Sequence, residues 1–254
     1  MFRSAVEDIA ATPEGVEALA RFNAGDEIGA LATLDGLRAA RDAARQKRAD
    51  IESAAEGRRI ATLALEARTK GKLTTAQVIA RYEEVTTLDP GVHWDWVELS
   101  RLYMEAGKLP DALRVAKAAA NTAEDDRDRS VAFDIQGDIE VAQGDLTGAQ
   151  ESYREGMGIA KRLAQSDPGN AGWQWDLTAS LIKLNQTTRD KAYAAQALDI
   201  ALAMQQRAVL APSNVWMVED WERLSVQQKI FCLLDFWPNN FRGDMSWRKT
   251  RRSL

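Results

Sequence analysis

The chain has 254 residues, 28% of them charged, and a formal net charge of −5. This acidic balance argues against a general nucleic-acid surface, which needs a basic excess on the fold. Abundant Ala, Leu and charged residues, only six Pro, and no convincing alternation of period two predict an all-helical protein.

The first predicted element begins at Thr12, which is suited to cap a helix that has Pro13 at its first position. A turn at residues 23–26 leads to a second helix, so the first element is a helical hairpin. The apolar positions of that second helix follow a helical spacing: Ala30, Leu34 and Leu37.

The next segment, up to Ile60, combines strong helix formers with opposite charges at helical neighbour positions. Asp42, for example, lies four residues after Arg38 and three before Arg45. Such charge runs usually form a solvated helix face. We therefore expect a long solvated helix here, with a break at Gly57 before a second hairpin.

A unit of two striped helices then recurs along the chain. Between Trp96 and Ala119, one helix carries Leu99 and Tyr103, Gly107 ends it, and small residues stripe the next helix. The same spacing starts again from Ile60 and from Phe133, with stripes that begin Ile60, Leu63, Ala64, Ala67 and Phe133, Gly137. The turn glycines Gly71, Gly107 and Gly144 are 36 and 37 residues apart.

Asp-Pro-Gly sequences at residues 89–91 and 167–169 end the second helices of two units, because proline cannot continue a helix. A fifth hairpin follows, but its turn at residues 185–190 lacks a glycine. We predict a repeat array over residues 1–212, a capping helix over 213–240 that covers the last apolar face, and a basic, flexible tail over 241–254.

Residue types that commonly act in catalysis or metal binding are scarce. His93 is the only histidine and follows Asp-Pro-Gly closely, which indicates a helix-start residue. Cys232 is the only cysteine and lies in an apolar run, so we expect it to be buried and inert. The sequence predicts no enzyme, cofactor, metal or small-molecule substrate, and a cytoplasmic protein without a signal peptide or membrane span.

Two pairs of tryptophans lie two residues apart, so the members of each pair face different sides of a helix. Trp96 shares a stripe with Leu99 and should be buried, which leaves Trp94 exposed as a potential binding anchor. In the second pair, Trp173 should be buried and Trp175 more exposed.

The spacing of large, small and glycine residues over roughly Glu14–Pro212 resembles the tetratricopeptide repeat, in the longer-period form of bacterial arrays. The resemblance implies an α-solenoid with a right-handed superhelix, in which the first helices line a concave groove that binds a peptide or a partner helix. Its groove positions carry over to a protein-binding set: Arg58, Ala61, Leu65, Arg68, Trp94, Val97, Arg101, Met104, Val131, Asp134, Asp138 and Val141.

The sequence thus predicts a non-catalytic scaffold for an unidentified protein or peptide partner, with homo-oligomerisation left open. An alternative is the sensor or oligomerisation part of a bacterial signalling system whose catalytic domain is absent from this chain. Another is an adaptor that touches acidic lipid or nucleic acid through the basic tail. An enzyme would require a carboxylate site around Asp134 and Asp138.

Overall fold

The computed structural model describes Ile9 and residues 12–207 of the chain. Within this part every regular element is a helix, which confirms the all-helical prediction. We number the helices in chain order: α1 Pro13–Asn23, α2 Glu27–Thr69, α3 Thr75–Leu88, α4 His93–Glu105, α5 Leu109–Asn121, α6 Asp126–Gln143, α7 Leu146–Ser166, α8 Ala171–Thr188 and α9 Lys191–Gln206.

The helices pack as successive antiparallel pairs, and each pair packs on the next one in the chain. α1 pairs with the N-terminal part of α2, and the C-terminal part of α2 pairs with α3. The later pairs are α4 with α5, α6 with α7, and α8 with α9. The described residues therefore form a tandem array of helical hairpins, which is the α-solenoid architecture that the repeats predict.

The hairpin turns share one backbone conformation. Gly25, Gly71, Gly107 and Gly144 all have φ between 69° and 86°, the left-handed region that residues with a side chain rarely adopt. In the fifth turn this position is held by Arg189, whose φ is 62°. The turn that lacks a glycine therefore keeps the same geometry, and the Asn185 side chain supports it by donating to the Asp190 carbonyl at 2.8 Å.

Helix α2 is one continuous helix of 43 residues, and its middle, residues 38–49, is exposed throughout. One helix covers the segment predicted as a long solvated helix near 38–56, although Ala54 within it is buried, and the predicted break at Gly57 is wrong. Gly57 lies inside the helix on the face that packs against α3, where an added methyl group would come within 3.1 Å of Val85. The glycine allows close helix packing there and does not end the helix.

The stripe predicted from Ile60 is displaced by one position. Ile60 and Leu63 are 46% and 66% exposed, whereas Ala61 and Leu65 are buried against α3 and α4, together with Ala64. The small residues fit the close contact between α2 and α3, so the branched side chains beside them remain on the surface. The prediction of a buried Ile60 and Leu63 is therefore wrong.

The crossing of α6 and α7 depends on glycines that face the partner helix. Gly137 lies against the aromatic ring of Tyr153, and Gly156 lies against the backbone of Ser130, whose hydroxyl donates to the Gly156 carbonyl at 3.0 Å. A side chain at either glycine would separate the two helices. Gly158, in contrast, has open space around its Cα.

Several predictions fall outside the described residues, namely the capping helix of 213–240, the basic tail of 241–254 and the burial of Cys232. Among the helices of residues 12–207, none has the length and apolar character needed to cross a membrane.

Replacing Gly137 by Ala should destabilise the protein by about 1–3 kcal/mol, because the new methyl group overlaps the Tyr153 ring in a packed crossing. The matched control is Gly158→Ala on the partner helix, which should be neutral or stabilise by about 0.5–1 kcal/mol through helix propensity alone. Urea unfolding measures both changes. Equal effects of the two substitutions would contradict the close crossing.

Candidate functional site

Ion pairs join the first helix of one hairpin to the next. The Arg58 guanidinium on α2 donates to Asp95 on α4 at 2.6 Å and to Asp89 at 3.1 Å. Ten residues further along α2, Arg68 donates to Glu105 at the end of α4. Arg58 and Asp95, like Arg68 and Glu105, are 37 residues apart, so the repeat period itself brings each arginine to an acidic residue of the next unit.

Polar contacts also join the next two first helices, α6 and α8. Lys183 on α8 donates to Asp138 on α6 at 2.8 Å, and the Ser180 hydroxyl lies 3.2 Å from both carboxylate oxygens of Asp134. At the start of α6, Arg127 donates to Asp176 at 2.7 Å. These contacts align α8 with α6 over most of its length.

Arg101 on α4 adds a further charge to this side of the array, and its guanidinium pairs with Glu98 of the same helix at 3.3 Å. We call this surface the first-helix face and define it by Arg58, Arg68, Trp94, Arg101, Met104, Asp134 and Asp138.

Burial dominates the electrostatics of the α6–α8 contact. It raises the pKa of Asp134 to about 7; Lys183 opposes this rise and Asp138 adds to it. Burial alone would lower the pKa of Lys183, but Asp138 and Asp134 together raise it above its ordinary value. Burial and Asp138 also raise the pKa of Tyr153, whose hydroxyl donates to Asp138 at 2.8 Å.

At the start of α4, His93 holds Trp94 in place. The imidazole is buried and its Nδ1 lies 2.8 Å from the Ala119 carbonyl on α5, while its ring meets the Trp94 indole edge-on at a centroid distance of 5.1 Å. Trp94 is 37% exposed. His93 is thus the first residue of a helix, and it anchors the exposed indole beside it.

The predicted groove residues differ in accessibility. Trp94 and Val141 are exposed, and seven others are half-buried: Arg58, Arg68, Arg101, Met104, Val131, Asp134 and Asp138. Leu65 and Val97 are buried in the core shared by α2 to α6, and so is Ala61. These apolar residues support the face from beneath, because the helices approach too closely to leave them open to a partner.

The two members of each tryptophan pair differ less in burial than the sequence predicts. Trp96 is half-buried, because its ring packs at the edge of the core while its indole nitrogen donates to the Pro90 carbonyl at 2.8 Å. Trp173 and Trp175 are both half-buried against the core of α7 to α9. The predicted difference between these last two is therefore not found.

Lys183 is the important residue that the sequence reasoning missed. The groove positions of the fifth hairpin were not assigned, because its turn has no glycine to set the register. With Arg189 in the place of that glycine, the period from Gly144 is 45 residues, and the position that matches Asp138 is Lys183. Tyr153 was missed for another reason: it lies on a second helix and reaches across Gly137.

The described residues hold no group of three or more His, Cys, Asp or Glu side chains placed to bind a metal ion. The first-helix face carries one exposed indole and charged groups of both signs.

Neither a protein-family model nor a curated protein matches the sequence. Among solved structures, two of MamA are 16% and 14% identical, covering 62% and 70% of this chain and 98% and 96% of theirs, with TM-scores of 0.33 and 0.39. A structure of PilF from Pseudomonas aeruginosa is 12% identical and covers 90% of this chain and 98% of its own, with a TM-score of 0.37. MamA and PilF are tetratricopeptide-repeat proteins.

The Asp134→Asn variant should gain stability relative to wild type as the pH rises from about 5 to about 8. The folded pKa of Asp134 lies above its ordinary value of 3.8, so wild type loses stability as the carboxyl ionises on the way up to about 7. Asparagine stays neutral, and its amide can still bond Ser180. Thermal unfolding across this pH range measures the difference.

The control is Asp138→Asn, which removes the nearest carboxylate from buried Lys183 and should destabilise the protein by about 3 kcal/mol at neutral pH. If the stabilities of wild type and Asp134→Asn changed with pH in the same way, this would contradict the raised pKa of Asp134.

Proposed function

We propose that the chain is a non-catalytic scaffold that binds a peptide or a partner helix on the first-helix face. The observation that supports this is that neighbouring first helices present accessible side chains on one face. Trp94 and Arg101 come from α4, and Asp138, paired with Lys183 of α8, comes from α6. A surface built from several repeats can recognise an extended ligand, because each repeat contributes its own side chains along the ligand's length.

The side chains of this face specify the chemistry of the partner. Trp94 offers an exposed, rigid apolar surface, which is the type of side chain that dominates binding energy at protein interfaces. Asp138 and Arg101 keep about a third of their side-chain surface accessible, at 35% and 34%. The proposed partner therefore carries one apolar anchor and charged residues of both signs.

The polar network under this face favours binding over catalysis. Lys183 and Asp138 form an ion pair, Tyr153 donates to the same carboxylate, and Ser180 contacts Asp134. Groups engaged in such contacts hold the helices in position.

In this proposal the protein acts in the cytoplasm, in accord with its single cysteine.

Selection of peptides from a random display library against the full chain tests this function. Selected peptides should carry an apolar anchor, bind wild type with micromolar affinity and lose at least about tenfold in affinity for Trp94→Ala, because truncating an aromatic anchor commonly costs 2 kcal/mol or more. Isothermal titration calorimetry supplies the affinities.

The matched control is Leu146→Ala, which truncates an exposed apolar side chain at the start of α7, a second helix. Its peptide affinities should equal those of wild type. Peptides that lose affinity for Leu146→Ala and not for Trp94→Ala would overturn the assignment to the first-helix face.

A further inference from the structure

The exposed length of α2 carries a self-complementary row of side chains. Along one face the residues Leu34, Arg41, Arg45, Glu52, Glu56 and Leu63 follow one another at intervals of 7, 4, 7, 4 and 7. At 3.6 residues per turn these intervals keep all six within about 60° of the helix circumference. We call this row the α2 stripe.

The α2 stripe is complementary in charge to its own reverse. Its basic members come first and its acidic members last, with a leucine at each end. When two copies of α2 lie antiparallel, with residue i opposite residue 97 − i, Arg45 faces Glu52 and Arg41 faces Glu56 of the other copy. In the same register Leu34 faces Leu63. Each contact occurs twice because the arrangement has two-fold symmetry.

The neighbouring charges follow the same division. Residues 38–48 contain five basic side chains and one acidic, whereas residues 50–56 contain three acidic side chains and no basic one. An antiparallel second copy places opposite charges along the whole contact, while a parallel copy places like charges side by side. The charge pattern therefore selects both the partner and its direction.

Among the described residues, most of this face is open. Residues 38–49 are exposed on every side and Leu63 is 66% exposed, whereas Leu34 is half-buried. In the acidic half, Glu52, Glu56 and Ile60 are exposed as well. The hairpin contacts of this half use a different face, with Ala61, Ala64 and Leu65 buried against α3. Between Arg41 and Glu56 a second helix can thus lie along α2 on the side opposite the α3 contacts, and Leu34 contributes the part of its surface that remains accessible.

We propose that the α2 stripe pairs antiparallel with the α2 stripe of a second copy of this chain, so that the protein is a two-fold symmetric dimer. The contact runs from Leu34 to Leu63, about 44 Å of helix. It shares no residue with the first-helix face, so it is independent of the function proposed above, and the dimer presents two first-helix faces.

Sedimentation equilibrium of the full chain in a charge-exchange series tests this proposal. Wild type should be a dimer at micromolar concentration. Arg45→Glu and Glu52→Arg should each weaken dimerisation at least about tenfold, since each places like charges opposite one another at two symmetric positions. The double variant Arg45→Glu/Glu52→Arg exchanges the two charges and should restore the wild-type dimer.

The matched control is Lys47→Glu, which makes the same charge change on the opposite side of the same exposed helix and should leave the dimer intact. A second measurement fixes the register. With Cys232 replaced by Ser, Ala49→Cys lies beside the two-fold axis and should form a dimer with a short bis-maleimide, whereas Lys47→Cys should not.

A monomeric wild type would overturn the proposal. So would a dimer that the single reversals leave unchanged, or one that the double variant fails to restore, because the interface would then lie elsewhere. Binding of a DNA duplex that both Arg45→Glu and the double variant abolish, with no dimer at any concentration, would assign the basic half of α2 to phosphate recognition instead.

Discussion

The close approach of two helices within each hairpin is the constraint on which the rest of the structure depends. An array of this kind has no single core common to all of its hairpins, so each pair must bury its apolar face against its partner and its neighbours. The chain meets this requirement with small residues at the crossings, such as Ala61 against α3 and Gly137 under the Tyr153 ring. At the turn of each hairpin, one residue in the left-handed conformation reverses the chain, so that the second helix packs against the first.

The regular period that results also determines where charges meet. Because consecutive first helices are offset by one repeat, a side chain on one of them lies opposite a fixed position on the next. Arg58 with Asp95 and Arg68 with Glu105 follow this rule at 37 residues, and Asp138 with Lys183 follows it at the longer period of the fifth unit. The ion pairs thus fix the alignment of hairpins whose apolar contacts are less directional.

Local patterns in the sequence predicted much of the fold. The glycine spacing gave the hairpin turns, and Thr12 caps α1 as its position indicated. The register within α2 was not predictable in the same way, because Ile60 and Ala61 both fit a helical stripe. The choice between them depends on how closely α3 approaches, which is a tertiary property. The predicted break at Gly57 is wrong for a similar reason, since close helix packing and helix termination both favour glycine.

The candidate site was predicted less completely than the fold. Trp94 is exposed and Arg101 is half-buried, whereas Val97 and Leu65 are buried in the core. A groove position assigned from the repeat spacing does not specify how deeply its side chain is buried, and burial distinguishes accessible residues from those that support the face. Lys183 required the register of a turn that has no glycine, so only the structure brings it to Asp138.

Site-specific photocrosslinking in cells of the source organism tests the first-helix face most directly. The photoreactive amino acid p-benzoylphenylalanine would replace Trp94 on that face and, in a separate variant, Leu146 on the second helices. A covalent adduct with another protein at position 94 and none at 146, lost on adding Arg101→Glu, is the result that this account predicts. Adducts at position 146 with none at 94 would contradict it.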